Sequence, residues 1–288
     1  MEIYLQTVRR KRPVLNKISA FLLLMLIAAS PVYSREYKIS TWNLSFLYDE
    51  SGDENKFPKN RYKRTENDFL RLKSRFTQIS PDIASFQEVE NLNAVYKIIP
   101  SGQYNCTITL NNSSNQEIAA CWKKELPGPK ISHFKSLQIN NMLRPALVTD
   151  FELNGKLTRI VHIHLKAGNP QGIKGRSVDI RKKQFFALGS ILKGHKSFIV
   201  LGDYNYDLKK DPASIKGFLP EIIIAGKDTR PACWQYKKFF IDYIASSTDI
   251  QFGRFQQHRY PEDDGRFDGK PYGEKGLSDH CPVSVTFR

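Results

Sequence analysis

Short apolar runs with the two-residue period of β-strands recur along this chain and alternate with helix-like segments. Examples are YKISTWNLSFL at residues 37–47, DIASFQEVE at 82–90 and KSFIVLGDYN at 196–205. Asn154-Gly155 is a two-residue turn signal between two further alternating runs. Because strands outnumber helices, and hairpins are mixed with helical crossovers, the pattern predicts an α/β fold in which helices flank two sheets.

Two helices are predicted from their caps and their apolar periodicity. Thr65 is an N-cap candidate with Asp68 three residues later, and Pro81 ends the helix that follows. The apolar face of this helix consists of Phe69, Leu72, Phe76 and Ile79. Ser177 is the predicted cap of a second helix. Its apolar face consists of Ile180, Phe185, Leu188, Ile191 and Leu192.

Residues 1–34 have the three parts of a secretory signal peptide. Basic residues at 9–12 precede an apolar run at 18–29, and small residues precede a cleavage site after Ser34. A membrane anchor is the alternative, but about 12 apolar residues are too few for the roughly 20 that a spanning helix needs. We therefore expect a secreted or periplasmic protein with one domain at residues 35–288.

The composition favours a globular protein with a polyanionic partner. Hydrophobic residues make up 40% of the 288, enough for a large core, which excludes a disordered chain. The formal net charge is +15, and it remains +11 without residues 1–34, which hold five basic residues and one acidic residue. Such a charge favours nucleic acid or an anionic membrane surface as the partner. No stable protein partner is indicated, and we expect a monomer.

Four cysteines, Cys106, Cys121, Cys233 and Cys281, allow three disulfide pairings in an exported protein. The first two are symmetric about a polar turn at residues 111–116 between two strand-like runs, which places them opposite each other in a hairpin. This predicts a Cys106–Cys121 disulfide, and elimination predicts Cys233–Cys281. A zinc site is the alternative, but the sequence has no CxxC pair.

Polar side chains with catalytic chemistry occupy the ends or inner edges of the predicted strands. Each has an ordinary structural explanation when taken alone, such as an Asx turn or a surface acid. Together, four carboxylates, two carboxamides and two imidazoles supply a hard-cation site beside an acid–base pair. These residues are Asn43, Glu88, His164, Asp203, Asn205, Asp242, Asp279 and His280. His162 alternates with His164, so the two rings point to opposite faces, and one of them at most is expected in the site.

Six segments resemble, in order, the motifs of the endonuclease/exonuclease/phosphatase superfamily with the deoxyribonuclease I-like fold. The segments are TWNL, SFQEVE, HIHLKAG, VLGDYN, FIDYI and LSDHCPV, and they extend from Asn43 to His280. The resemblance implies a four-layer α/β sandwich, with two central mixed β-sheets flanked by helices. It also implies metal-assisted hydrolysis of a phosphoester.

The same resemblance implies roles for the residues that match these motifs. Glu88 is then the principal Mg²⁺ ligand, with Asn43 and Asp279 close to the ion; Mn²⁺ or Ca²⁺ are alternative ions. Asp203 and Asn205 are similar to the pair that positions the attacked phosphate and the water. Family branches differ on whether this aspartate or a histidine takes the proton of the water.

Four further roles follow from the resemblance. His280 is similar to the C-terminal histidine of the family, and Asp242 to the carboxylate that orients it. His164 is similar to a second histidine on the leaving-group side, and Arg144 to an arginine that contacts a substrate phosphate. On physical grounds, a carboxylate beside His280 is expected to raise the pKa of its imidazole.

Two classes of substrate remain open from the sequence. Nucleic acid, DNA above RNA, is favoured by the net charge and by the basic segments RYKR (residues 61–64) and KAGNPQGIKGR (166–176), which suit a phosphate backbone. The alternative is a lipid-directed enzyme, either a sphingomyelinase-like phospholipase C or an inositol polyphosphate phosphatase. TRPACW (229–234) resembles part of the phosphatase motif, but the Asp-Arg expected after it is missing. The sequence also lacks a long apolar hairpin tip for membrane docking.

Overall fold

The computed structural model describes residues 34–49, 63–110, 116–139, 143–170, 172, 174–209, 221–230, 240–260 and 277–288. Its strands are β1 (Tyr37–Leu47), β2 (Ile83–Val89), β3 (Tyr104–Ile108), β4 (Glu117–Lys123), β5 (Lys130–Phe134), β6 (Ala146–Leu153), β7 (Lys156–His164), β8 (Phe198–Asp203), β9 (Ile223–Ile224), β10 (Asp242–Ser246), β11 (Phe252–Gln257) and β12 (Val283–Phe287). Its helices are α1 (Glu66–Ile79), α2 (Leu92–Ile98) and α3 (Arg176–Leu192), with a 3₁₀ helix at Lys135–Gln138. The predicted signal peptide lies almost entirely outside the described residues and stays a prediction.

The strands form two mixed sheets of six strands each. Sheet A has the order β11-β12-β1-β2-β4-β3, and sheet B has the order β5-β6-β7-β8-β10-β9. Each sheet contains one parallel pair, β1–β2 in sheet A and β7–β8 in sheet B, and its other pairs are antiparallel. The carboxyl ends of two parallel strands meet at one edge of each sheet, which is where the predicted site residues occur.

Three apolar clusters arrange these elements in four layers. The first, between helices α1 and α2 and the outer face of sheet A, includes Phe69, Phe76, Ala94, Trp42 and Phe86. The second, between α3 and the outer face of sheet B, includes Phe185, Leu188, Val148, Val161 and Val200. The third joins the two sheets and includes Ile39, Ile83, Phe151, Ile160 and Ile199. The predicted α/β sandwich of two mixed sheets flanked by helices is therefore confirmed.

The helix starts show one correct cap and one wrong cap. Thr65 caps α1 in a capping box, with its side chain accepting from the amide of Asp68, and the predicted apolar face is buried. Ser177, in contrast, lies inside the first turn of α3, which begins at Arg176. The cap position is Gly175, whose φ of 115° suits glycine, so the chain enters the helix without a side-chain cap.

The hairpin of β3 and β4 carries the disulfide that its symmetry predicts. Cys106 and Cys121 are register partners, their Cα atoms lie 4.1 Å apart, and their sulfurs are bonded. Cys281 is also disulfide-bonded. Its predicted partner, Cys233, lies outside the described residues, so that pairing stays a prediction. In the described part of the chain, no helix is long and apolar enough to cross a membrane.

Candidate active site

The strand registers bring five of the predicted site residues to one rim that both sheets share. Asn43 and Glu88 lie toward the carboxyl ends of the parallel strands β1 and β2. His164 and Asp203 are register partners at the carboxyl ends of the parallel strands β7 and β8. Asp242, the first residue of β10, is the antiparallel partner of Asp203. The site is thus assembled by pairing between strands that are distant in sequence.

Two irregularities in sheet A turn the side chain of Glu88 into this site. Between Asn43 and Leu47, three residues of β1 face a single residue of β2, which is Glu88. The pairing of β2 with β4 shifts at the same residue. Glu88 has a φ of 59°, which is unusual for a residue with a side chain. Such bulges re-aim side chains, and this one directs a carboxylate toward sheet B.

The carboxamide of Asn43 links the carboxylates of the two sheets. Its Nδ2 donates to Glu88 Oε1 at 3.2 Å and to Asp203 Oδ2 at 3.1 Å. Its Oδ1 accepts from the backbone amide of Ser45 at 2.9 Å. In this orientation the side-chain oxygen of Asn43 accepts a hydrogen bond from the backbone, and the predicted role of Asn43 as a metal ligand stays a prediction.

Asp203 is buried and makes three further polar contacts. Its Oδ1 accepts from the backbone amide of Asn205 at 2.7 Å, and its Oδ2 accepts from Asn205 Nδ2 at 3.0 Å. The Nε2 of His164 lies 3.5 Å from the same Oδ2. Burial, followed by repulsion from Asp242, raises the pKa of Asp203 to about 7. The carboxyl group therefore exchanges a proton near neutral pH.

His280 and Asp242 form a buried ion pair. Nδ1 of the ring lies 2.7 Å from Asp242 Oδ2, while no group among the described residues bonds the other oxygen of Asp242. Burial by itself would lower the pKa of His280, but attraction to Asp242 and then Asp279 outweighs it and raises the pKa to about 10. The imidazole is therefore a cation at neutral pH, as its carboxylate neighbour predicts.

The two accessible carboxylates of the site belong to Glu88 and Asp279. Their side chains are 16% and 26% exposed, against 2% for Asp203 and 4% for Asp242. Asp279 is held by a hydrogen bond from the hydroxyl of Ser45. Burial raises the pKa of Glu88, and repulsion from Asp279 adds to this. Burial and mutual repulsion make it unfavourable to hold two carboxylates together, and a divalent cation that binds their oxygens would offset this cost.

A second group of ligand atoms is less suited to a metal. Asp203, Asp242 and His280 offer atoms that all lie within 4.8 Å of one another. The 2.7 Å bond between His280 and Asp242, however, already uses the ring nitrogen on that side. A hard cation also prefers oxygen ligands to imidazole. The predicted metal position at Asn43, Glu88 and Asp279 stays a prediction.

The two alternating histidines of β7 do point to different surroundings. The ring of His164 is buried, and its Nε2 faces Asp203 and, at 3.8 Å, Glu88 Oε1. Burial, then Arg144 and His280, hold the pKa of His164 well below its ordinary value, so the ring is neutral. His162 instead bonds Thr149 Oγ1 at 3.0 Å and lies outside the site. The predicted place of His164 on the leaving-group side stays a prediction.

Arg144 lies beside the carboxylates as a buried cation. Its guanidinium donates to the carbonyls of His164 at 3.3 Å and Leu165 at 3.4 Å. Its Nε has no hydrogen-bond partner among the described residues. Burial lowers the pKa of Arg144, while attraction to Glu88 and Asp203 counteracts this. The side chain thus lies next to Glu88 and Asp203, and its predicted contact with a substrate phosphate stays a prediction.

Not every basic side chain of the segment at residues 61–64 is exposed to solvent and free to bind nucleic acid. Arg64 is only 6% exposed, and its guanidinium donates to backbone carbonyls of the site. Lys63 is exposed, and residues 61–62 lie outside the described part of the chain. The interpretation of Arg64 as a nucleic-acid contact is therefore wrong, because tertiary packing buries it.

Sequence reasoning also missed the hydroxyl groups that join β1 to the last loop. Ser278 Oγ donates to the carbonyl of Asn43 at 2.8 Å, and the amide of His280 lies 3.1 Å from that hydroxyl. Ser45 Oγ lies 3.0 Å from Ser278 Oγ. Ser45 and Ser278 each lie two residues from a predicted site residue, which could have indicated a role in the site. Serine is also a common turn residue at such positions, so the sequence alone does not distinguish the two roles.

Comparisons with known proteins agree with this architecture. No protein-family model and no curated protein matches the sequence. Among solved structures, the endonuclease/exonuclease/phosphatase from Bacteroides vulgatus has a TM-score of 0.63 at 14% identity, covering 88% of this chain and 99% of that one. D. rerio TDP2 complexed with single-strand DNA product has a TM-score of 0.61 at 14% identity, with the same coverage. The human Nocturnin catalytic domain with bound sulfate has a TM-score of 0.58 at 16% identity, covering 88% and 94%.

The class that these observations define is a four-layer α/β sandwich with a carboxylate-rich site at the shared rim of its two sheets. Within that class, the chain has the fold of the endonuclease/exonuclease/phosphatase superfamily. The resemblance that six short motifs carry is thereby confirmed at the level of the fold.

Proposed function

We propose that this protein is an exported, metal-dependent phosphodiesterase that hydrolyses DNA. The observation that carries the proposal is the meeting, at one rim, of two accessible carboxylates, a carboxyl group that titrates near neutral pH and a histidine–aspartate ion pair. Such a set can bind a cation, take a proton from water and stabilise an anionic transition state. Each of these tasks is part of the hydrolysis of a phosphodiester.

Glu88 and Asp279 are the residues that would hold the divalent cation, Mg²⁺ by preference. When bound, this ion would polarise a non-bridging oxygen of the phosphate and offset its charge. Asn43 keeps Glu88 in place through the 3.2 Å hydrogen bond of its Nδ2. Ser45 does the same for Asp279 through its hydroxyl.

Asp203 is the best-placed general base. A base works best when its pKa lies near the working pH, and burial raises that of Asp203 to about 7. His280, with a pKa of about 10, is already protonated at that pH and so cannot take a proton from water. Asn205 and Asn43 hold both oxygens of Asp203, which fixes the direction from which it receives a proton.

His280 and Arg144 supply positive charge for the phosphate. The cationic ring of His280 is held by Asp242 at 2.7 Å, so it is oriented before substrate arrives. Arg144 is held by two backbone carbonyls in the same way. Preorganised charges of this kind stabilise a transition state without the cost of reorienting them during the reaction.

Nucleic acid is the substrate class that the charge distribution supports. Lys166 lies just beyond β7. Burial lowers its pKa, and repulsion from three nearby arginines, Arg144, Arg181 and Arg176, lowers it further. Cations that repel one another in this way favour a polyanion. The net charge of +11 at residues 35–288 points in the same direction. D. rerio TDP2, which shares the fold, has been crystallised with a single-strand DNA product.

The leader at residues 1–34 is the basis for proposing export. We also propose a monomeric state and a Cys233–Cys281 disulfide. The Cys106–Cys121 disulfide supports export, since disulfides persist in oxidising compartments. Mass mapping under non-reducing conditions tests the second pairing, and N-terminal sequencing of the exported protein tests cleavage after Ser34.

The function is tested by offering plasmid DNA, RNA and sphingomyelin to the purified protein, with Mg²⁺ and with a chelator. We expect DNA cleavage that the chelator abolishes. His280→Gln serves as the site control, because glutamine leaves a donor for Asp242 and limits the loss of stability. If sphingomyelin is cleaved while DNA stays intact, the nuclease proposal is wrong and the lipid-directed alternative holds.

A further inference from the structure

Arg64 is a buried cation that the proposed reaction does not use directly. It precedes α1 and is 6% exposed. Its guanidinium donates to the carbonyls of Leu44 at 2.5 Å, Phe46 at 2.8 Å and Leu277 at 2.7 Å. The carbonyl of Ser45 lies 3.4 Å from both terminal nitrogens. One side chain therefore contacts two chain segments that are more than 200 residues apart.

The first of these segments is the irregular end of β1. The regular pairing of β1 with β2 stops at Asn43 and resumes at Leu47, so the residues between them leave the β1–β2 ladder. Ser45 and Phe46 have φ values of 48° and 62°, which turns this part of the backbone out of the extended conformation. Buried carbonyls without a partner each cost about 1–3 kcal/mol. The guanidinium of Arg64 supplies hydrogen-bond donors to the carbonyls of this stretch.

The second segment is the loop that carries Asp279 and His280. The antiparallel pairing of β1 with β12 ends at Thr41 and Val283, so no ladder bond holds this loop to the bulged end of β1. Arg64 makes the connection at Leu277, two residues before Asp279. Close by, Ser278 bridges the carbonyl of Asn43 and the amide of His280, and the hydroxyl of Ser45 bonds Asp279.

We propose that Arg64 is a positioning residue, which fixes the Asp279–His280 loop against the bulged end of β1 and so sets the site geometry. The inference rests on the proposed function only for its effect on turnover. An arginine suits this task because its planar guanidinium carries five donors in a fixed arrangement, whereas a lysine has a single ammonium group. Burial disfavours the charged guanidinium, and the nearby negative charges of Asp68, Asp279 and Glu88 partly offset this.

The test compares Arg64→Lys with Arg71→Lys, the same change on the half-buried Arg71 of α1. Hydrogen–deuterium exchange of the backbone amides at residues 277–281 measures how firmly the loop is held, independently of activity. Steady-state kinetics on DNA at several salt concentrations separate kcat from KM. Arg64→Gln, which keeps a side-chain amide donor at the same position, is the second variant in case Arg64→Lys does not fold.

We expect exchange at residues 277–281 to accelerate at least tenfold in Arg64→Lys and Arg64→Gln, and to stay unchanged in Arg71→Lys. We expect kcat to fall on the order of 10- to 100-fold, since small misplacements of reacting groups have effects of that size. KM and its salt dependence should change less than twofold, because Arg64 does not touch the substrate.

Unchanged exchange in the folded variants would overturn the proposal. So would a rise in KM with a weaker salt dependence and a constant kcat, since that result would identify Arg64 as a contact to the nucleic-acid backbone. If the wild-type protein cleaves no DNA, the proposed function fails, while the exchange measurement still decides the role of Arg64.

Discussion

Removal of the negative charge of Asp242 should convert His280 from a cation to a neutral ring. The ordinary pKa of histidine is about 6.5, whereas that of His280 in the folded protein is about 10. The fold therefore stabilises the protonated ring relative to the neutral ring by roughly 5 kcal/mol. Asp242, at 2.7 Å, is the largest favourable contribution to that preference, and burial opposes it. In Asp242→Asn this largest attraction disappears, while burial and the weaker attraction to Asp279 remain. We therefore expect the pKa of His280 to fall below 7.

The consequence for catalysis follows from the loss of a preorganised charge. At pH 8 the ring of the variant is neutral, so kcat should fall by about 100- to 1000-fold, as when one donor to a developing oxyanion is removed. The assays are an NMR titration of the His280 ring and DNA cleavage at pH 8. Asp179→Asn, the same change at an exposed position of α3, is the matched control. A ring that still titrates near 10 in Asp242→Asn, or a kcat within threefold of wild type, would refute the reasoning.

The same ion pair makes stability depend on pH in a defined direction. Because the folded-state pKa of His280 is raised, its contribution is fully present below pH 6.5 and is lost as the pH rises through about 10. Urea unfolding should therefore show that wild type loses stability over this range. In Asp242→Asn we expect that loss to be absent.

Three further predictions concern Asp203, Glu88 and Gly202. Because a base with a pKa of about 7 must lose its proton and a cation with a pKa of about 10 must keep it, kcat/KM should rise through pH 7 and fall near pH 10, and this rise should be absent in Asp203→Asn. Glu88→Gln should weaken Mg²⁺ binding at least tenfold by calorimetry, with the melting temperature of the metal-free protein nearly unchanged. Gly202→Ala should lower the free energy of unfolding by about 3 kcal/mol or more, because its Cβ would lie 2.0 Å from a carbonyl oxygen of β7. Gly102→Ala, with no atom within 4 Å of the added Cβ, is the control for urea unfolding and should cost less than about 0.5 kcal/mol.

Much of the fold could be predicted because its signals are local. Alternation of apolar residues identified β1 and β2, and the sequence Asn154-Gly155 identified the turn between β6 and β7. The symmetric spacing of Cys106 and Cys121 predicted their disulfide. The cap of α3 was missed because Gly175 ends the preceding loop through its own conformation, while Ser177 offers a competing local signal.

The sequence by itself determined which chemical groups occur at the ends of the strands, because strand ends are read from local periodicity. The tertiary structure alone decided what surrounds each group. It raised the pKa of Asp203 by burial beside Asp242. It also buried Arg64, which is indistinguishable in sequence from an exposed basic residue. Burial, and the charges that face each group, depend on contacts between segments that are distant in sequence, and no local pattern specifies those contacts.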